Sequence, residues 1–439
     1  MITWQHILRF DYLTFLLASC LAAFGLVILY GATQDASGTN YLYSQLSRVL
    51  LGIVFLFLLL FIEYRFFIRY APIFYILGLI SLLLCFVPYI GYYNKGAYSW
   101  LNIAGLFRLQ PSEFVKLATI CMLARILSNR KDQWRDLWGV MRPLCIGIIP
   151  SFLILLQPDM GTAIVFGPIT LIMMFVAGMP LSYFFILFSP MLCLLAISHD
   201  IIFILLWFGI MAGIMLMVYI RKIHWSVWMP FLLIGFALYG LVFFKGETIW
   251  EKLPNHAKDR IVAYLNPDYD LRGVNWNIKQ SKIALGSGGF WGKGIGEGTQ
   301  GSFKFLPEPE HDFILPVLGE QTGFLGNVIV LGLFLLLLIR GLDTAMETKT
   351  MQGSLVATGI VALFFTHIFI NVGMVTGVLP VTGLPLTFIS YGGSFMLASM
   401  MGVGLLINIR MSTSSELLKD SFSEGRPTMS IPTEIREEF

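Results

Sequence analysis

Between Asn275 and Gly323 the chain reads NWNIKQSKIALGSGGFWGKGIGEGTQGSFKFLPEPEHDFILPVLGEQTG, a run of glycines, lysines and carboxylates flanked by apolar segments. Its far part, FLPEPEHDF, gathers Glu308, Glu310, His311 and Asp312 just as the chain returns to hydrophobic sequence. A carboxylate at such a boundary is partly desolvated, which raises its basicity and suits a general base. Asp312 is the residue expected to do that chemistry. Capping of the following helix is the competing role. A divalent-cation site, magnesium or manganese, built from Glu310, His311 and Asp312 is a third reading. Upstream, glycine N–H groups with Lys279, Lys282, Lys293 and Lys304 nearby would suit a phosphate or pyrophosphate. The alternative is a loop whose glycines serve its turns and whose lysines meet lipid headgroups. Nucleotide motifs do not fit. Ser287 stands where a Walker pattern needs its first glycine, and Gly294 follows Lys293 where Ser or Thr is required. The GxGxxG at Gly296, Gly298 and Gly301 has no strand before it.

Charges within apolar runs are the second source of chemistry, because each costs about 2.5 to 3.5 kcal/mol to insert and is kept only facing a cavity or a partner. In QPSEFVKLATI, Glu113 and Lys116 are three apart, close enough on a helix to pair. They form either a structural ion pair or part of a substrate site. In LLQPDMGTAIV, Asp159 either caps a helix or lines a polar path. Arg48 enters a span from its outer side, where it can snorkel to phosphate level and meet lipid or substrate. GVLPVTGLPLTFISYGGSFM concentrates Gly, Pro and hydroxyls at membrane depth. That predicts a broken or re-entrant helix lining a cavity, with close helix packing through small residues as the rival.

The elements that must hold these residues are helical membrane spans. Of 439 residues, 57% are hydrophobic and 13% charged, a composition of polytopic membrane proteins that excludes a sizeable soluble domain. A net charge of +3, scattered over short loops, excludes nucleic acid as partner. Five cysteines without CxxC spacing exclude a disulfide framework or zinc site. MITWQHILRFD runs straight into an apolar stretch and reads as a retained first span. A ruler of roughly 20 residues per span predicts an all-α polytopic protein of about 10–12 transmembrane helices. They centre near Leu21, Phe55, Gly78, Cys121, Ile148, Ile169, Phe188, Ile210, Leu233, Val330, Phe364 and Gly402, and the count is least secure over 181–245. Basic residues of short loops place both termini in the cytoplasm and the loop over about 246–312 outside it. Residues 1–410 thus form one integral-membrane domain, and 411–439 a flexible cytoplasmic tail.

In QPSEFVKLA, QPDMGTA, RIVAYLNPDYDLRGVNWNIKQSKIALGSGGFWGKGIGEGTQ, FLPEPEHDFILPVLGEQTG and NVGMVTGVLPVTGLPLTFISYGGS, taken in order, the chain resembles the SEDS family of bacterial cell-wall polymerases, which includes RodA, FtsW and SpoVE. The resemblance implies a peptidoglycan glycosyltransferase of the bacterial cytoplasmic membrane. It would polymerise lipid II, release undecaprenyl pyrophosphate, and work with a class B penicillin-binding protein and the elongation machinery that sets cell shape. NVGMVTGVLPVTGLPL and the short N-terminus are most similar to RodA; an FtsW-type division polymerase is the alternative. The family's essential aspartate falls on Asp312, its QPSE pair on Glu113 and Lys116, its QPD aspartate on Asp159 and its second-span arginine on Arg48. With these, Lys279, Lys293 and His311 complete the expected substrate site, and no resident cofactor is implied beyond the divalent cation. Three departures stand out: Glu310-His311-Asp312-Phe313 where the family has His-Thr-Asp-Phe; Thr387 for a proline and Phe395 for a serine in the LPFISYGGSS-type segment; and as many as three spans where the family's ten-span pattern has one before the large loop. A lipid-linked-precursor flippase is the rival from another class, and it would lean on the intramembrane charges rather than on Asp312.

Overall fold

The computed structural model describes residues 10–32, 38–94, 97–103, 107–128, 134, 136–192, 274–298 and 309–424, with isolated residues between 209 and 262. Most of the loop expected over 246–312, the spans expected near Ile210 and Leu233, and residues 425–439 of the tail lie outside the described residues. So do Lys304 and Glu308.

The described chain is a helical membrane bundle. Six of its helices are long and apolar enough to cross a bilayer. Helices α1 (Tyr12–Ala32) and α2 (Gly38–Leu60) form an antiparallel pair, followed by short α3 (Tyr64–Arg69) and α4 (Ala71–Leu84). A small antiparallel sheet, β1 (Gly91–Asn94), β2 (Ala97–Ile103) and β3 (Phe107–Leu109), then precedes α5 (Pro111–Leu127), whose proline occupies the first turn where no N–H is needed. Next come α6 (Leu137–Leu156), α7 (Met160–Ile164), α8 (Phe166–Val176), α9 (Leu181–Leu192) and α10 (Val274–Ser287). The last three are α11 (Ile314–Glu347), α12 (Met351–Thr376) and α13 (Gly393–Glu424). Helix α13 runs on past Arg410, so the tail expected from 411 opens as helix.

At 1.5 Å per residue, the 34 residues of α11 would span about 50 Å, well beyond a hydrocarbon core of about 30 Å. Gly323 resolves the excess. Its φ of 71° and ψ of −165° break the helix into a short first piece and a long second piece. A break frees backbone groups that need partners, and the glycine-rich stretch after α10 supplies them. Lys293 N donates to Glu320 O at 3.0 Å, Gly294 N to Gln321 O at 3.1 Å, and Phe324 N to Gly289 O at 2.9 Å. The glycine run is therefore a backbone clamp across the kink.

Helices α12 and α13 sit at the centre, with Ile360, Phe364 and Leu406 buried against α5, α2 and α11. At the bundle end opposite Gly323, Asp11 ties three helices together. It accepts from Arg340 Nη2 at 3.0 Å and Thr14 Oγ1 at 2.5 Å, and Arg410 Nε lies 3.7 Å away. Burial alone would raise the Asp11 pKa, but the hydrogen bonds from Arg340 and Thr14 and the charge of Arg340 outweigh it and hold it below the ordinary carboxylate value. A carboxylate with a lowered folded-state pKa adds stability above its unfolded value of about 3.9, and that stability is lost as pH falls through the lowered value. Thermal unfolding in detergent should therefore show an acid-side loss below about pH 4. Asp11→Asn should shrink that loss while costing about 1–3 kcal/mol at neutral pH, by leaving two buried-end guanidiniums short of an acceptor.

Candidate active site

Between α12 and α13 the chain passes from Gly377 to Gly392 without regular structure, at the end of the bundle where α11 begins. Non-helical backbone at that depth must have its polar groups met, and buried side chains meet them. Asn371 of α12 donates to Leu384 O at 2.7 Å and to Asp312 O at 3.0 Å. Gln45 of α2 donates to Ser390 O at 3.2 Å and accepts from Gly392 N at 3.3 Å. Ser394 Oγ accepts from Gln110 N at 2.9 Å. The stretch before α11 is bound to the same segment: Tyr391 N donates to Glu310 O at 2.9 Å, and His311 Nδ1 lies 2.9 Å from Tyr391 O. Phe388, fully buried, is held at φ 65°, a left-handed conformation that a bulky residue adopts only when its surroundings impose it.

Asp312 is thereby fixed by its own backbone. The N-cap position of α11 belongs to Phe313, whose side chain makes no cap hydrogen bond. Its Oδ2 lies against Gly383, where a Cβ would come within 3.2 Å and where φ is +74°. Only glycine meets both demands there. Across the segment, the Arg48 guanidinium lies 4.3 Å over the Tyr391 ring, which meets the His311 ring edge-on at 5.2 Å. Arg48 Nη1 is buried with no hydrogen-bond partner among the described residues. The same side chain stands beside Gly393, the first residue of α13. A helix start presents unpaired N–H groups and the positive end of the dipole. With Arg48 it offers the chemistry an anion would need, one aromatic ring from His311.

The sequence-predicted residues thus divide into groups. His311 and Arg48 gather around Tyr391, and Asp312, next in the chain to His311, lies against Gly383 of the same segment. Glu113 and Lys116 form a second, fully buried cluster: Lys116 Nζ lies 2.8 Å from Glu113 Oε2 and 3.0 Å from His367 Nε2. An ammonium group only donates, so His367 Nε2 accepts and its Nδ1–H points at Pro385 O, 3.3 Å away. This cluster supports the irregular segment from beneath. Lys116 is 1% exposed, so it has no open face toward a substrate. Asp159 caps α7, accepting from Thr162 N at 3.0 Å and Thr162 Oγ1 at 2.9 Å, with Gln110 Nε2 at 3.3 Å. Lys293 is bound to the buried Glu320 at 2.7 Å, at the kink rather than at an anion seat. Lys279 stands exposed on α10. Among the described residues no three His, Cys, Asp or Glu side chains cluster as metal ligands.

His367, Asn371, Gln45 and Tyr391 were not singled out from the sequence. A signal for the first two was present, since two polar residues four apart in HIFIN share one face of an apolar span. An apolar groove of about 350 Å³, with Phe74, Leu77, Leu109, Phe114 and Met401 among its walls, opens between α4, α5 and α13.

Residues 11–208 and 192–415 match the FTSW_RODA_SPOVE family, described as cell cycle protein. A probable peptidoglycan glycosyltransferase FtsW of Trichlorobacter lovleyi is 35% identical, covering 91% of this chain and 93% of its own. The peptidoglycan glycosyltransferase RodA of Treponema pallidum is 33% identical, covering 91% and 97%. Among solved structures, a chain reported in the structural coordination of polymerization and crosslinking by a peptidoglycan synthase complex superposes with a TM-score of 0.67. It is 25% identical and covers 92% of this chain and 98% of its own. On fold, site and sequence together, this multi-pass membrane protein belongs to the FtsW/RodA/SpoVE family.

Proposed function

We propose that the chain is a peptidoglycan glycosyltransferase that polymerises lipid II. The 4-hydroxyl of the acceptor sugar attacks the anomeric carbon of the growing strand, the C–O bond to undecaprenyl pyrophosphate breaks, and Asp312 takes the hydroxyl proton. A sugar hydroxyl is a poor nucleophile at neutral pH, so the reaction needs a base on one side and fixed positive charge for the departing diphosphate on the other. One observation carries the reading: the Asp312 segment and the unpartnered Arg48 Nη1 at the start of α13 are joined through His311 and Tyr391. The apolar groove beside α5 suits a prenyl chain that stays in the bilayer while only the head group reaches the site.

The arginine-rich end, with Arg65, Arg125, Arg340 and Arg410, is read as cytoplasmic and the Asp312 end as external. A class B penicillin-binding protein is the proposed partner, in keeping with the synthase complex whose chain this fold resembles. The elongation role is assigned on NVGMVTGVLPVTGLPL, and its test is rescue of rod shape in cells depleted of their elongation polymerase but not of division in cells depleted of FtsW. The flippase reading needs Glu113 and Lys116 to line a water-filled path. At 4% and 1% exposure, and bonded to each other, they give it no support.

Purified protein incubated with labelled lipid II should yield glycan polymer, and Asp312→Ala at matched amount should yield none; equal product would remove the assignment. Arg48→Gln should slow polymerisation about tenfold to a hundredfold, and Arg48→Lys less, because the ammonium keeps the charge but loses the planar fork. Initial rates at saturating lipid II would check this.

A further inference from the structure

At the end opposite Asp312, a cavity of about 320 Å³ is lined by Arg65, Ile68, Arg69, Arg125 and Gln352. We propose that it binds the phosphate headgroup of an anionic phospholipid. The three guanidiniums come from two elements. Arg65 and Arg69 are four apart on α3 and share one face. Arg125 closes the last turn of α5 and is pinned by Nη1, which donates to Ile68 O and Arg69 O.

Three guanidiniums around one cavity favour an anion there, and among the described residues no carboxylate lines it. Among the described residues Arg65 pairs with Glu63 at 3.4 Å, both about half exposed, a pairing worth little in water. The volume is about ten times the share of one water molecule, enough for a phosphate with its glycerol. A lipid rather than a free ion is favoured by what borders the cavity. Phe66 on α3 and Tyr70 just after it each follow an arginine by one position and, with Phe74, are exposed and packed ring to ring. An aromatic face beside a cationic cavity is the arrangement expected at the level of lipid headgroups.

The site is independent of the catalytic reading, and its test does not use polymer synthesis. Native mass spectrometry of the protein released from nanodiscs containing phosphatidylglycerol and phosphatidylcholine should show retained phosphatidylglycerol. Arg65→Gln/Arg69→Gln should weaken retention about fivefold per arginine. Arg142→Gln, an exposed arginine on α6 outside the cavity, should leave it unchanged. Equal losses in the cavity and control variants would reduce the effect to diffuse surface charge and overturn the proposal. Displacement of the lipid by millimolar inorganic phosphate would overturn it in favour of a free-anion site. An unchanged unfolding temperature of the double variant in lipid-free detergent secures the comparison. Should that variant not fold, Arg69→Gln alone, with its expected fivefold loss, makes the same decision.

Discussion

Asp312→Asn should lower the polymerisation rate by about 10²- to 10⁴-fold, the range that a positioned general base supplies. The substitution isolates chemistry from architecture. Asn371 donates to the backbone carbonyl of position 312, which the change leaves intact. Tyr391 and His311 hold positions 310 and 311 by other bonds. The amide has nearly the same shape as the carboxylate, so its fit against Gly383 survives while its basicity does not. Membrane insertion and unfolding temperature should therefore match wild type, and the deficit should lie in turnover at saturating lipid II rather than in the concentration needed for half-maximal rate. Gly383→Ala offers a complementary readout. It keeps the acid but crowds it and strains a position at φ +74°, so activity and stability should fall together. An Asp312→Asn protein that polymerises at the wild-type rate would transfer the base role elsewhere and leave the intramembrane cluster as the remaining seat of function.

How far the site was legible in the sequence depends on whether a residue's role is local. Asp312 and Arg48 stand out because a charge at the edge of an apolar run has few reasons to be there, and Asp159 announces its cap through the Thr three positions on. The partnership of Glu113 with Lys116 follows from spacing alone. What spacing cannot reveal is the third member, His367, 251 positions away from Lys116 in the chain and meeting it only because α12 packs on α5. The glycine stretch was open to two readings for a related reason. Glycines and lysines in a loop suit an anion cradle, but the N–H groups of Lys293 and Gly294 are taken by carbonyls of Glu320 and Gln321. Those carbonyls became available through a break at Gly323, and a glycine within an apolar run does not declare itself as a break. Among the described residues the helical architecture was legible from hydrophobic length. The three-strand sheet was not, although YYNKGAYSW carries turn residues between aromatic, strand-favouring ones.

Lys116→Met should destabilise the protein by about 3–5 kcal/mol, since it leaves the Glu113 carboxyl buried without its cation. Removing both charges should reverse most of that loss, because two apolar side chains of similar volume avoid the desolvation that the pair had to offset. Glu113→Leu/Lys116→Met is therefore expected to unfold near the wild-type temperature. Its activity should not return with its stability. Without an ammonium donating to Nε2, His367 is no longer held in the tautomer whose Nδ1–H faces Pro385 O, and the segment carrying Gly383 loses one of its fixings. The histidine variants separate the two bonds. Asn at 367 places an amide donor near the Nδ1 position and should keep part of the activity, whereas Gln places a carbonyl near the Nε2 position, preserves the lysine contact and should keep the stability. A double variant that regains polymer synthesis along with its unfolding temperature would show the cluster to be packing alone. Recovery of stability without synthesis would make Lys116 and His367 positioning residues, acting on Asp312 through the segment that both sites share.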